Sequence, residues 1–324
     1  MRPAAADQWR SVAEHHSKTE ESVIFPGHAV VGAYLRAFRR DRKLRLTDAA
    51  RTIGASAARV CRMELGTSES KPDAVHALLK SYGLYCPRCL KTINELLAPP
   101  AARDRFVDTQ PGCHTRLRAC EQDANRLRYF SSYLIPPAFR THSYTTALRA
   151  SDALSAHLPW STHHSAELAT EVVGPDTPTR RYGTHLWLPT TGLTTREATL
   201  ILDASVLRRT VVPPGVLAEQ LRALRDAAHR GRLTLRVLPL TAGASGYPGA
   251  LTEITRRSTR LYVQPAARCF HYSASGSTAT SAEWCFTNSE NEALSAEGSL
   301  AAIEEAAIQL AQLAERDAAA SWFS

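Results

Sequence analysis

Arg59 and Arg62 stand three residues apart and follow directly on Ser56, Ala57 and Ala58. On a helix that spacing puts two guanidinium groups on neighbouring turns, a geometry suited to holding phosphate oxygens. They are not isolated charges: between Val31 and Arg62 nine Arg or Lys stand against Asp41 and Asp48, a local net of +7 in a chain whose net charge is +8. A cationic field concentrated in one short segment attracts a polyanion. Other constellations point to other chemistry. Cys86-Pro-Arg-Cys89 has the spacing of a zinc knuckle, with Cys113, His114 and Cys120 as further ligands. Cys113 and Cys120 are also seven apart, which core packing on a helix produces equally, so buried thiols are the competing reading and no metal is assigned. The His163-His164 pair with Glu167 has helix-compatible ligand spacing but no further ligand, so a solvated polar face is the competing reading, and His271 beside Tyr272 reads as a catalytic pair or as a strand edge. No Walker loop, dinucleotide glycine signature, nucleophile elbow or paired zincin histidines are present, which weighs against catalysis, and no cofactor is expected.

The elements that position the arginines follow from the stretch Leu44 to Gly66. Gly54 stands where a first helix must stop and turn, because a residue without Cβ takes the left-handed conformation at no steric cost. Ser56 follows as the N-cap of a second helix. Ala49, Ala50 and Ile53 give the first helix a small apolar face, and Val60 with Met63 give the second an inward stripe. This is the layout of a helix-turn-helix. It leaves Ala58, Arg59 and Arg62 outward on the second helix, and Arg45 and Thr47 at the start of the first.

Before this pair, Val31, Tyr34, Leu35 and Phe38 recur at helical spacing; after it, Pro72 starts a helix with Val75, Leu78, Leu79 and Tyr82 inward, and residues 87 to 97 close a five-helix bundle. The expected division is a flexible arm over residues 1–28, the bundle over 29–98, a proline-flanked linker over 99–112 and a larger α+β domain over 113–324. In that domain Cys113 to Phe130 reads as a helix with Leu117, Cys120, Ala124 and Leu127 inward. Short strands are expected at Thr199 to Leu202, Leu233 to Val237, Thr259 to Val263 and Arg268 to Tyr272. Helices are expected after Pro214, carrying Leu217, Leu221, Leu224 and Ala228, and from Ser299 to Arg316, carrying Leu300, Ile303, Ala307, Leu310 and Leu313.

Length and composition bound the class. At 324 residues, 44% hydrophobic and 22% charged, the chain is long enough for two folded domains. No apolar run approaches the ~18 residues that span a bilayer. The N-terminus lacks the apolar core of a secretory signal, and seven cysteines make an odd set, so a reducing cytoplasmic location without membrane contact is expected.

Residues 31 to 83 resemble the Xre-type, phage repressor-like helix-turn-helix domain: the Leu44 start, Ala50, Gly54, Ser56, Val60-Cys61-Arg62-Met63-Glu64, Gly66, and the ending from Ala77-Leu78-Leu79 to Tyr82-Gly83. Further on, Leu202 to Arg209, Glu219-Gln220-Leu221, Val237-Leu238-Pro239 and Ala242-Gly243-Ala244 resemble the C-terminal domain of unknown function of many actinobacterial Xre-type regulators, the WhiJ-type developmental regulators included. The chain departs from that pattern at Leu46, where such domains carry a Gln that caps a helix against the DNA backbone, and at Ala57 and Ala58, which replace polar side chains that touch base edges. Alanine meets only a thymine methyl. Arg45, Thr47, Ser56, Arg59 and Arg62 remain, and they favour phosphate positioning over base readout.

The resulting expectation is an N-terminal all-α helix-turn-helix bundle joined to a larger α+β domain, acting as a DNA-binding transcriptional regulator. One short helix offers few contacts, so a homodimer reading two half-sites is expected, with the larger domain dimerising and sensing a small-molecule effector or a small partner protein. The rival reading is a regulator scaffold whose reading helix has degenerated and which binds or transforms a small molecule in a biosynthetic pathway. Residues 151 to 197 and Trp284-Cys285-Phe286 would then line its pocket.

Overall fold

The computed structural model describes residues 25–84, 87–98, 104–151, 197–245, 247–257, 259–266 and 269–321. Among the described residues five helices precede the sheet: α1 Pro26–Asp41, α2 Leu46–Thr52, α3 Ala57–Leu65, α4 Pro72–Ser81 and α5 Pro87–Leu97. Val31, Leu35, Ala49, Ala50, Val60, Met63, Val75, Leu78, Leu79, Tyr82, Ile93 and Leu96 form their common core. Helix α1 starts at Pro26, earlier than its apolar spacing suggests, because proline's fixed φ suits the first turn and the extended Phe25 leads into it.

The larger domain is built on a mixed seven-stranded sheet. Its strands are β1 Arg105–Asp108, β2 Arg126–Ser131, β3 Glu197–Asp203, β4 Thr234–Leu238, β5 Ala250–Arg256, β6 Thr259–Pro265 and β7 Phe270–Ser273, in the order β1-β7-β6-β5-β2-β3-β4. Strands β2, β3 and β4 run parallel, and the other pairings are antiparallel. Its helices among the described residues are α6 Cys113–Gln122, α7 His142–Ala150, α8 Pro214–His229, α9 Gly276–Glu292 and α10 Ala296–Ser321.

Alternation along the strands feeds two cores. Leu127 and Tyr129 of β2 and Leu200 and Leu202 of β3 face a large core shared with α6, α7, α8 and α10. Phe130 and Ile201 face the opposite side, under Ala279, Ala282 and Phe286 of α9. Polar residues in the stretches that resemble regulator C-terminal domains serve this framework. Asp203 Oδ1 accepts from the Ser205 amide at 2.8 Å, and buried Gln220 accepts from the Thr141 amide at 2.6 Å while donating to the Phe139 carbonyl at 2.8 Å.

Three sequence expectations are corrected. The helix expected from Cys113 to Phe130 ends at Gln122; Asp123, Ala124 and Asn125 turn the chain, and residues 126–131 pair between β3 and β5. Leu127 is buried as expected, but on a strand. Within the stretch read as a linker, residues 105–108 form β1 and pair with β7, and Asp108 takes a buried bidentate contact from Arg116 of α6 at 2.8 Å. Leu313 on α10 is exposed rather than inward.

Candidate nucleic-acid interface

Helix α2 is preceded by its N-cap Arg45, whose amide donates to Asp48 Oδ2 at 3.0 Å, satisfying one of the free amides at a helix start. That amide, with help from the nearby arginines, holds the half-buried Asp48 carboxyl below its usual range. Gly54 takes φ +59° in the turn, and the Ser56 Oγ accepts from the Arg59 amide at 3.2 Å, so turn and cap stand where the sequence places them. Gly66 ends α3 at φ +73°, which lets the Thr67 amide reach back to the Arg62 carbonyl at 3.1 Å.

This geometry buries Val60, Met63 and Glu64 and leaves Ala58, Arg59 and Arg62 exposed on the outer face of α3, with Ser56 exposed and Ala57 half-buried at its start. Arg45 and Thr47 are exposed on the adjoining end of α2. Leu46 is half-buried against the bundle core, so the apolar residue found in place of a backbone-capping Gln contributes packing.

The basic field divides. Arg36 and Arg40 reach Asp123 of the sheet domain at 2.9 and 3.0 Å, and Arg39 holds buried Glu64 bidentately at 2.6 and 2.8 Å. Those three are occupied in holding the molecule together. The other six, Arg42, Lys43, Arg45, Arg51, Arg59 and Arg62, are exposed. Arg45 and Arg51 approach Asp48 at 3.4 and 3.7 Å, but exposed pairs of this kind contribute little and leave the cations open to a polyanion.

Sequence reasoning missed the residue that fixes the C-terminal end of α3. Arg256, at the end of β5 and 2% exposed, donates to the carbonyls of Glu64 at 3.4 Å and Leu65 at 3.2 Å, and to that of Ala29 in α1 at 3.2 Å. A cation against the last carbonyls of α3 satisfies acceptors a helix end leaves open and complements its dipole. The one local sign was a pair of arginines, Arg256 and Arg257, between two apolar runs, and nothing in that pattern names a partner nearly two hundred residues away.

Among the described residues the remaining candidates do not converge on a second site. Cys113 and Cys120 are buried in the sheet-domain core, and burial pushes the Cys120 thiol up to about 12, away from the thiolate a metal requires. Cys89 lies on α5, while Cys86, His163, His164 and Glu167 fall outside the described residues. Among the described residues no group of three metal-binding side chains is assembled. His271 is exposed and Tyr272 buried on opposite sides of β7, so they cannot act as a pair. Phe286 is buried on the sheet-facing side of α9 while Trp284 of the same helix is exposed, and residues 152–196, the other part of the expected pocket, fall outside the described residues. Among the described residues no helix is long and apolar enough to cross a membrane.

Residues 30–87 match the helix-turn-helix domain family. The chain carries a helix-turn-helix domain. Residues 183–305 match a domain of unknown function (DUF5753), so the two matches fall on the bundle and on the sheet domain. DNA binding and transcription regulation are the function that the helix-turn-helix domain supports. No curated protein and no solved structure matches the chain.

Proposed function

We propose that this chain is a cytoplasmic, Xre-type transcriptional regulator that lays α3 in the major groove and reads two half-sites as a homodimer, while its sheet domain responds to a small molecule or a small partner protein. The observation that carries the reading is the outer face of α3. A Ser56-capped helix presents two arginines, Arg59 and Arg62, beside Ala58, whose small side chain lets the helix start approach the groove floor. Arg45 and Thr47 supply phosphate contacts beside it, and Ala57 and Ala58 admit only a thymine methyl. Affinity then rests on the backbone more than on base edges.

The test is a titration of the full chain against duplex DNA of randomised sequence at two salt concentrations. Replacing Arg59 and Arg62 by alanine is expected to weaken binding to every sequence alike and to flatten the salt dependence by about one unit of slope per lost phosphate contact. Unchanged affinity would remove α3 as the reading helix. Sedimentation of the full chain as a strict monomer under binding conditions would remove the two-half-site arrangement.

A further inference from the structure

The β5–β6 hairpin carries two consecutive arginines with opposite fates. Arg256 turns inward to the carbonyls of α3 and α1, and Arg257 turns outward at the tip with φ +54°. The Arg257 amide donates to Asn125 Oδ1 at 2.7 Å, so the tip is pinned to the turn between α6 and β2. The exposed Arg257 guanidinium reaches across the domain boundary and donates through Nη1 to the Cys61 Sγ at 3.6 Å. Cys61 stands on α3 next to Arg62 and one turn beyond Ala58, on the flank of the exposed face. Among the described residues Arg257 makes no ion pair, the nearby Asp123 being taken by Arg36 and Arg40, so its charge stays available to an outside anion.

A helix of about 10–12 Å diameter fills a major groove about 12 Å wide, so both flanks of an inserted helix face the phosphates of the groove walls. A cation fixed on such a flank meets one of those walls when the helix is seated. We propose that Arg257 is a DNA-phosphate contact and that the β5–β6 hairpin of the sheet domain is part of the DNA interface. The proposal rests on the reading of α3 as the recognition helix. It extends that interface to a residue far outside the helix-turn-helix match. Arg256 gives the contact its rigidity: the same hairpin that carries Arg257 is bonded to the end of α3, so the two elements approach DNA as one preformed surface.

The experiment compares full-length wild type, Arg257→Ala, Arg257→Lys, Arg257→Glu and Arg62→Ala on one random-sequence duplex over a salt series. The Arg257→Ala protein is expected to bind several-fold more weakly, with the slope of log affinity against log salt reduced by about one. Lysine should retain most of the affinity and glutamate should lose more than alanine. Because alanine at this position carries the same Cβ and backbone strain as arginine, the melting temperature should stay near wild type. If Arg257→Ala keeps wild-type affinity and slope while Arg62→Ala binds weakly, the hairpin is off the DNA and the reading of α3 stands. Tighter binding by Arg257→Ala would show that the side chain obstructs DNA and would equally overturn the proposal. A wild-type chain with no salt-dependent affinity would overturn the reading of α3, and the proposal with it.

Discussion

His28 in the first turn of α1 accepts a hydrogen bond at Nδ1 from the Ser70 amide at 3.0 Å, across the bundle. Burial lowers its pKa below the ordinary 6.5, against the opposing pull of Glu69. The folded chain therefore binds this proton less readily than the unfolded chain. The associated stability is fully present above the unfolded pKa and is lost as pH falls from about 6.5 toward the folded value. Protonation also takes away the lone pair that satisfies the buried Ser70 amide. Urea denaturation above about pH 7 and below about pH 6 is expected to show wild type losing stability that His28→Gln does not lose. Equal pH dependence in the two proteins would remove His28 as the cause. A larger effect is expected at Glu64, whose carboxylate is 1% exposed and held by Arg39. Glu64→Gln leaves a buried guanidinium without its counter-charge, and the expected loss is about 3–5 kcal/mol in chemical denaturation.

At the scale of elements, helix α1 crosses α3 at Gly32, where an added Cβ would lie 2.2 Å from the Met63 carbonyl oxygen and 2.7 Å from that of Glu64. Both are backbone atoms, so no side-chain rotation relieves the clash, and α3 itself must move. At Gly54 an added Cβ meets nothing within 4 Å, and only the left-handed φ of +59° resists substitution. Gly54→Ala is thus expected to cost about 1–2 kcal/mol, while Gly32→Ala adds overpacking to a tightly crossed pair and lowers both melting temperature and DNA affinity further. A Gly32→Ala protein as stable as Gly54→Ala would mean that α1 and α3 do not cross closely at Gly32. These two glycines also mark what was legible. Gly54, Ser56 and the stripes of α3, α4 and α8 show themselves in sequence because turn chemistry and the helical period act locally. Strands β2 and β5 stayed hidden because their interiors carry charge: Arg128 and Glu253 are buried against each other, with Glu283 and Glu290 of α9 beside Arg128. Each strand alone reads as polar, and only the pairing makes burial affordable. In the same way Arg36, Arg39 and Arg40 read as part of a DNA-facing field, and Asp123 and Glu64, which claim them, are distant in sequence.

On the scale of the whole molecule, the division into a bundle and a sheet domain overlooks that α1 belongs to both. Val31 and Leu35 pack into the bundle core, while Val30 and Ala33 pack into the sheet-domain core. Phe106 of β1 lies against both. The sequence of α1 carries the sign of this, since Ala29, Val30, Val31, Ala33 and Leu35 are apolar round more than one face, as expected of a helix covered on two sides. A fragment ending at residue 98 would expose Val30 and Ala33, strand Arg36 and Arg40 without Asp123, and leave the last carbonyls of α3 without Arg256. Exposing one fully buried valine alone costs about 1.5–3 kcal/mol. The expected outcome is a fragment that melts well below the full chain, self-associates through the uncovered side of α1, and binds random duplex DNA more weakly than the loss of Arg257 alone accounts for. Arg256→Ala in the full chain should reproduce part of the destabilisation without removing the sheet domain, because it frees the carbonyls of Glu64, Leu65 and Ala29 while leaving the apolar contacts of α1 in place. A fragment with the full chain's melting temperature and DNA affinity would show that the bundle reads DNA unaided and that the shared helix is only a point of attachment.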